Sequence, residues 1–420
     1  MTVIGLDDTD SRDRGMCTTY LAARLADSLR ADASVARLLL VRCNPAVEHK
    51  TRGNAALAVH TDAAPKRAVG LARETLPLAA TADPNTNPGV VVAPGDPAAV
   101  PEPVAEFARG AVRDHHDIDA AAALIDDCGY DSLHEGNGRG RIGALAAVGA
   151  WRAFEEWTHE HIAYRERERW GTERAVDRDS VFAAADGAYP TVWDTVDRVE
   201  GEAVCVPHTP GPVLYGIRGD DPTACRDVAA AIESEPVAAS ETFVTNQGTD
   251  AHVQLGRIET ARDGRSYRLD GTVASAPETH EGGHVFFALA DGDDRLQCAA
   301  FEPTKRFRDR VRALRVGDDL TVVGEVREET LKLEKFAVRD LVRTEPATPT
   351  CPDCGRSMES AGADQGYRCR DCGTTAPGKV DRPVERDLEP GWYEVPPCAR
   401  RHVAKPLVRG GFDAPTHPER

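Results

Sequence analysis

Three carboxylates stand together near the start of the chain, in the run Gly5-Leu6-Asp7-Asp8-Thr9-Asp10-Ser11. They follow a short apolar segment and precede Gly15-Met16-Cys17-Thr18-Thr19, where a helical pattern begins. Carboxylates placed between a strand and a helix suit Mg²⁺, which takes a few oxygen ligands and completes its shell with phosphate oxygens and water. The free N–H groups of the following helix suit a phosphate, and Thr18 and Thr19 lie in its first turn. An acidic loop that only caps a helix is the alternative, and it is common in acidic proteins.

Two further segments add cations and glycines. His49-Lys50-Thr51-Arg52-Gly53-Asn54 sets basic residues around a glycine at a strand entrance. Gly136-Asn137-Gly138-Arg139-Gly140-Arg141-Ile142-Gly143 precedes the apolar run 144–150. Glycine lets backbone approach a phosphate, and arginine binds one bidentately. Neither segment is a Walker or dinucleotide motif, and each alone reads equally as a solvated glycine turn. Together with the acidic loop they suggest a nucleoside triphosphate site. Asp7, Asp8 and Asp10 would serve Mg²⁺, and Lys50, Arg52, Gly53, Asn54, Gly136, Asn137 and Arg139 would serve ATP.

Cys351-Pro352-Asp353-Cys354-Gly355 and Cys369-Arg370-Asp371-Cys372-Gly373 are paired CxxCG knuckles separated by 14 residues. Four thiolates fill the tetrahedral shell of a structural Zn²⁺ and leave no open position for catalysis. The other seven cysteines are scattered and read as reduced thiols. Basic residues cluster at Lys305, Arg306, Arg308, Arg310, Arg312 and Arg315, with Phe286, Phe287 and Phe301 in nearby strands. Cations beside aromatics are what stacking on unpaired bases requires. Core phenylalanines and a solvated helix face are the alternative. A second basic patch, Arg400, Arg401, Lys405 and Arg409, lies near the C-terminal end.

The elements that must hold these residues change character along the chain. Residues 1–125 alternate strand and helix: strands at 2–6, 37–42, 55–60 and 89–93, helices at 16–30 and 66–78. Leu21, Leu25 and Leu29 give the first helix its apolar stripe. Residues 126–251 contain a strand–helix–strand unit at 212–217, 222–234 and 237–244, which suits a ferredoxin-like domain. Residues 252–345 hold five short strands and one helical insert at 304–314, the pattern of an OB-type barrel. Residues 346–376 form the zinc module. Residues 377–420 carry eight prolines and little periodicity, and are expected to form a basic tail without a core.

The chain of 420 residues carries a net charge of −18, and 41% of it is hydrophobic. Seven lysines against 44 arginines, with abundant acids, fit a protein of a high-salt cytoplasm, whose acidic surface keeps it soluble. The net charge therefore does not exclude RNA. No apolar run reaches 18 residues and the N-terminus has no signal-peptide pattern, so a cytoplasmic protein is expected.

The motifs in this order resemble the archaeal tRNA 2-agmatinylcytidine synthetase family. The resemblance rests on the acidic loop and Gly15–Thr19, Lys50–Asn54, Gly140 with Ile142-Gly143-Ala144-Leu145-Ala146, Gly216-Ile217-Arg218-Gly219, Thr245-Asn246-Gln247-Gly248-Thr249-Asp250-Ala251-His252, and Ala300-Phe301-Glu302-Pro303-Thr304-Lys305. It implies a multidomain α+β fold, with a kinase-like α/β N-terminal domain, a ferredoxin-like domain that exchanges segments with it, an OB-fold β-barrel and a zinc ribbon. It implies ATP-dependent attachment of agmatine to carbon 2 of the wobble cytidine of the isoleucine tRNA with a CAU anticodon, so that the tRNA reads AUA. Phosphorylating the oxygen on carbon 2 turns a poor leaving group into a good one. The resemblance marks Thr18 for phosphorylation. Arg218, Thr245, Asn246, Gln247 and Asp250 are the expected substrate-binding residues, Asp250 for the agmatine dication. Phe286, Phe301, Lys305, Arg306, Arg308, Arg400 and Arg401 are the expected RNA contacts. Arg141 departs from the family pattern, being charged where an apolar residue is expected. No protein partner and no membrane are implied. The alternative from another class is a non-catalytic single-strand-binding protein, which would leave the first 250 residues without a purpose.

Overall fold

The computed structural model describes the whole chain apart from Arg14, His49, Thr51 and Arg52. Among the described residues two large sheets organise the molecule. The first contains β1 (Thr2–Asp7), β2 (Val35–Arg42), β3 (Ala55–Thr61), β4 (Gly89–Pro94), β5 (Asp131–His134), β6 (Thr158–Arg165), β7 (Val192–Trp193), β8 (Val213–Gly219) and β9 (Val237–Thr245), in the order β5-β4-β1-β3-β2-β9-β6-β8-β7. Its helices are α1 (Thr18–Leu29), α2 (Pro65–Thr75), α3 (Glu102–Arg113), α4 (Ile118–Asp127), α5 (Gly140–Ala153), α6 (Arg178–Ala188) and α7 (Pro222–Ala231).

The middle of β1, Val3–Leu6, carries no polar side chain because both its faces are covered. Ile4 and Leu6 join the core under α1 and α2, and Val3 joins the core under α3 and α5. Leu21, Leu25 and Leu29 of α1 are all buried, as their spacing requires. Gly5 faces α5, where a Cβ would stand 2.0 Å from the carbonyl oxygen of Ala144. Glycine is thus required for the helix to reach the strand.

The sheet is continuous across the boundary expected near residue 125. Helix α5 packs on β1 and β4, and β9 pairs in parallel with β2 at Leu39↔Val244 and Leu40↔Thr245. The Asn246 side chain prolongs that short ladder: its Oδ1 accepts from the Arg42 N–H at 2.7 Å, and its Nδ2 donates to the Arg42 carbonyl at 3.0 Å.

The second sheet contains β10 (Val253–Leu255), β11 (Arg265–Val273), β12 (Glu278–Thr279), β13 (Val285–Asp291), β14 (Asp294–Ala300), β15 (Asp319–Arg327) and β16 (Thr330–Asp340), with α8 (Phe307–Arg312) between β14 and β15. Pairings β11–β13, β13–β14, β14–β16, β16–β15 and β15–β11 close a five-stranded barrel of the OB type. Beyond it, β17 (Thr344–Ala347) pairs with a later strand, β21 (Val380–Pro383). Between them β18 (Glu359–Ser360), β19 (Tyr367–Arg368) and β20 (Thr375–Ala376) form the small ribbon.

The C-terminal segment corrects the expectation of a coreless tail. β22 (Gly391–Glu394) pairs with β16, and β23 (Thr416–His417) pairs with β22. Trp392, Tyr393, Val395, Val403, Ala404 and Leu407 are buried. Periodicity does not reveal this segment because its apolar residues pack, in short pieces, against surfaces supplied by the rest of the chain. No helix of the described residues is long and apolar enough to cross a membrane.

Candidate active site

Where β1 ends, the chain turns sharply. Asp7 closes the strand and Asp8 takes the left-handed backbone region, φ 56°. Asp7, Asp8, Asp10, Cys17, Thr18 and Thr19 then line a cavity of about 1090 Å³. Burial, with the charges of Asp8 and Asp10, pushes the Asp7 carboxyl well above its ordinary range. Burial also raises Asp8, although Arg139 opposes it, donating from Nε at 3.0 Å and Nη2 at 2.7 Å to Asp8 Oδ2. Crowded carboxylates of this kind are relieved by a cation, and an all-oxygen donor set fits Mg²⁺.

The glycine–arginine loop packs tightly against the sheet. A Cβ on Gly140 would come within 2.3 Å of the Gly89 nitrogen, and one on Gly143 within 2.0 Å of Asp7 Oδ2. Gly136 (φ 61°) does not line the cavity; a Cβ there would stand 2.3 Å from Asn87 Oδ1, which accepts from the Asn137 N–H at 3.0 Å. Asn137, Arg139 and Arg141 do line the cavity. Across from them are Lys50, Gly53 and Asn54. Lys50 donates from Nζ to the carbonyls of Val47, at 2.8 Å, and Pro45. Asn54, at φ 48°, donates to the Asn44 carbonyl at 2.8 Å. Arg52 lies outside the described residues, with His49 and Thr51.

The far wall holds three groups the motifs did not single out: Arg42, Glu160 and His402. Arg42, at the end of β2, and Glu160, in β6, line the cavity with Arg218 of β8 and with Arg400 and His402 of the C-terminal segment. Gln247 stands behind them, donating to Glu160 Oε2 and accepting from Arg42 Nη2 at 3.3 Å. Burial, then the charges of Arg42 and Arg218, keep His402 well below the usual imidazole range, so it is neutral. A sequence signal for Arg42 exists: it is the only charged residue closing the apolar run Leu38-Leu39-Leu40-Val41.

Of the expected substrate residues, Arg218 faces the cavity while Thr245, Asn246 and Gln247 lie buried behind its wall. Asp250 is corrected. Its carboxylate accepts from Lys335 Nζ at 2.9 and 2.7 Å and from the Lys405 N–H at 2.6 Å, so its charge is already matched, away from the cavity. Several expected RNA contacts are corrected likewise. Arg400 is buried against Asp194 and Glu394, and Arg401 pairs with Glu325 and Glu334. Arg306 joins Asp197 at 3.0 Å and Glu419 at 2.5 Å; Lys305 faces Glu200, and Arg308 faces Glu302 and the Gly283 carbonyl. Lys305 and Arg306 thereby fasten the barrel to the segment around Asp197 and Glu200, and Arg401 fastens it to the C-terminal segment. Sequence alone presents the run as an unpaired basic surface because its acidic partners are distant along the chain. Phe286 and Phe301 remain half-exposed on the barrel, edge to face at 5.9 Å, with Lys332 Nζ over Phe301.

Cys351, Cys354, Cys369 and Cys372 converge as the knuckle spacing requires. Four sulfurs and no other ligand match the donor set of a structural zinc site.

Family descriptions match the chain in order: "TiaS TCKD domain" at 3–72, "TiaS FLD domain" at 138–252, "OB-fold nucleic acid binding domain" at 267–335 and "TiaS C-terminal zinc ribbon domain" at 348–388. The 2-agmatinylcytidine synthetase TiaS of Haloquadratum walsbyi, an enzyme of an isoleucine tRNA, is 54% identical over the full length of both chains. The chain belongs to the TiaS family. The TiaS of Methanosarcina acetivorans is 48% identical over 97% of each chain. A crystal structure of TiaS in complex with its isoleucine tRNA and ATP superposes with a TM-score of 0.90, at 41% identity, over 100% of this chain and 99% of that one. A complex of TiaS with the same tRNA, AMPCPP and agmatine gives 0.87 at 39% identity, over 100% of this chain and 99% of that one. The TiaS family thus has the layout seen here: α+β units, then an OB barrel, then a zinc ribbon.

Proposed function

We propose that this protein is a ligase that uses ATP to attach agmatine to carbon 2 of the wobble cytidine of the isoleucine tRNA with a CAU anticodon, which then reads AUA. The observation that carries the proposal is the end-to-end match to TiaS relatives, together with a cavity that joins the acidic loop to the far arginine wall. Agmatine and an isoleucine tRNA are ligands of the matching complexes.

A phosphoryl group from ATP activates the oxygen on carbon 2, and the agmatine amine then displaces phosphate. Asp7 and Asp10 would hold Mg²⁺, which, when bound, neutralises phosphate charge. Asp8 fixes Arg139 beside it, and Lys50, Gly53, Asn54 and Asn137 shape the triphosphate site, with Arg52 next to Gly53 in sequence. Thr18, on the cavity wall at the start of α1, is the phosphorylatable hydroxyl. The cytidine must leave its stack to reach this depth, as loop nucleotides can. The barrel face at Phe286 and Phe301 offers a stacking surface to the RNA. Zn²⁺ in the four-cysteine cluster folds the ribbon. In functional terms, residues 1–125 with α5 form the ATP unit, 126–251 the remainder of the base and agmatine site, 252–345 the barrel, 346–376 the ribbon and 377–420 a strap. A tRNA and ATP as substrates support a cytoplasmic enzyme.

The test is incubation with ATP, agmatine and a CAU-anticodon tRNA, followed by nucleoside mass spectrometry. A cytidine carrying agmatine is expected. tRNA binding without ATP consumption or adduct would instead favour the non-catalytic RNA-binding reading.

A further inference from the structure

Arg218 is an anomaly. Its side chain is 6% exposed, yet none of its N–H groups has a hydrogen-bond acceptor among the described residues. The nearest carboxylates are Glu160 Oε1 at 3.8 Å and Asp194 Oδ2 at 4.0 Å, and both carboxylates are engaged elsewhere: Glu160 accepts from Gln247, and Asp194 from Arg400. Arg42 shares the same wall. Its Nη2 stands 3.9 Å from Glu160 and donates to Gln247 Oε1 at 3.3 Å, its Nη1 donates to the Gly53 carbonyl at 3.5 Å, and its Nε has no partner among the described residues. Two guanidiniums therefore share one distant glutamate, and both border the cavity that holds Asp7, Asp10 and Thr18. A buried guanidinium without acceptors is costly, and a second one nearby that is only partly satisfied adds to the cost. An anion with several oxygens satisfies a guanidinium best, and that is phosphate chemistry. Agmatine, a dication, cannot supply it.

We propose that Arg218, with Arg42, clamps the phosphoryl group while it passes from ATP to the oxygen on carbon 2 of the cytidine. This rests on the phosphoryl-activation reading given above. In the transfer, the bond from the moving phosphorus to its bridging oxygen breaks. That electron pair stays on the shortened nucleotide, and a new bond forms between the carbon-2 oxygen and phosphorus. In the second step the agmatine nitrogen bonds to carbon 2. The bond from carbon 2 to oxygen breaks, phosphate leaves with the electron pair, and the amine proton passes to solvent. The clamp meets the charge on the equatorial oxygens in the first step and holds the leaving phosphate in the second. Glu160, Gln247 and Asp194 are positioning residues that aim the two guanidiniums.

The test uses the full chain with ATP, agmatine and CAU-anticodon tRNA, comparing Arg218→Met and Arg218→Lys with the parent. Single-turnover agmatine attachment at saturating ATP and tRNA should fall about 10³-fold in Arg218→Met. Lysine should recover little, since it lacks the planar fork, whereas added guanidinium should restore part of the methionine variant's rate. Affinities for tRNA and for a non-hydrolysable ATP analogue should change by less than about threefold. In parallel, inorganic phosphate should raise the melting temperature of the parent and not that of Arg218→Met. A near-parental rate in Arg218→Met would overturn the proposal. So would a tenfold loss of tRNA affinity, which would indicate a tRNA backbone phosphate, or a tenfold loss of analogue affinity with the saturated rate intact, which would indicate a ground-state triphosphate contact. If the parent itself forms no adduct, the functional reading fails. The phosphate melting arm then decides separately whether the two arginines form an anion site.

Discussion

Two buried arginines in neighbouring strands of one sheet have opposite surroundings. Arg165, at the end of β6, donates to both oxygens of Glu235, at 2.7 and 2.9 Å, to the carbonyls of Thr172 and Glu173, at 2.8 and 2.9 Å, and to Thr172 Oγ1. Arg218, in β8, donates to nothing among the described residues. The first network is closed and holds the loop that follows the strand. The second is open among the described residues, and it faces a cavity that a ligand can enter. Satisfied polar burial marks architecture, and unsatisfied polar burial marks a place for a ligand. The same contrast separates Asp197, ringed by donors, from Asp7, whose charge burial and its acidic neighbours oppose.

The contrast is most exposed to failure at Asp7. Asp7→Asn should lower agmatine attachment by about 10³-fold or more and leave tRNA binding nearly intact, since asparagine keeps the size but removes the charge that a divalent cation requires. Because the Asp7 value is raised in the folded chain, its ionised form costs stability when no ligand is bound. The asparagine variant should therefore melt higher than the parent without Mg²⁺ and should not respond to added Mg²⁺. Full turnover with normal magnesium dependence would make the acidic loop a cap and move the ATP site elsewhere.

Removing the closed network should have the reverse effect. Arg165→Met leaves Glu235 buried without its partner and should lower stability by about 3–5 kcal/mol in urea melts, while Arg218→Met should melt no lower than the parent. Equal losses in both would erase the distinction between the two arginines.

A third check is acid titration. Burial alone would raise Glu334, but the charges of His252 and Arg401, with the His252 hydrogen bond, outweigh it and hold the carboxyl at about 2, against 4.5 for a free glutamate. A depressed folded value means the contribution is present above pH 4.5 and is lost as pH falls toward about 2. Its size is about 3 kcal/mol at most. Glu334→Gln should flatten that part of the profile of melting temperature against pH; an unchanged profile would show that the barrel–strap junction does not titrate there. The smallest expected effect is in the ribbon. Each chain should carry one zinc, and Cys354→Ser should lose it while the melting of the two large sheets shifts little. Well under one zinc per chain in the purified parent would remove the metal from the four-cysteine cluster.

What the sequence made legible follows from range. The acidic loop, the knuckles and the barrel strands are local patterns, and the structure places them where the spacing implies. The wall of Arg42, Glu160 and Arg218 is assembled from three strands more than a hundred residues apart at the extremes, so no window contains it. The run from Lys305 to Arg315 looked like an RNA surface because Asp197, Glu200 and Glu419 are invisible from within it. The C-terminal segment looked coreless because Trp392 and Leu407 bury against surfaces that other segments supply. Asp250 reads as an unpaired carboxylate for the same reason: Lys335, its partner, lies on a barrel strand. Which carboxylates were already paired could not be read from sequence, and that knowledge separates a binding residue from a brace.

The side chain of Asn246 ties Arg42 to β9 and extends a ladder of only two residue pairs. That stitch crosses the line between the half of the sheet that carries the acidic loop and the half that carries Arg218. The pocket floor is accordingly one continuous sheet, so the acidic loop and the arginine wall are held in register by backbone and by a single amide side chain.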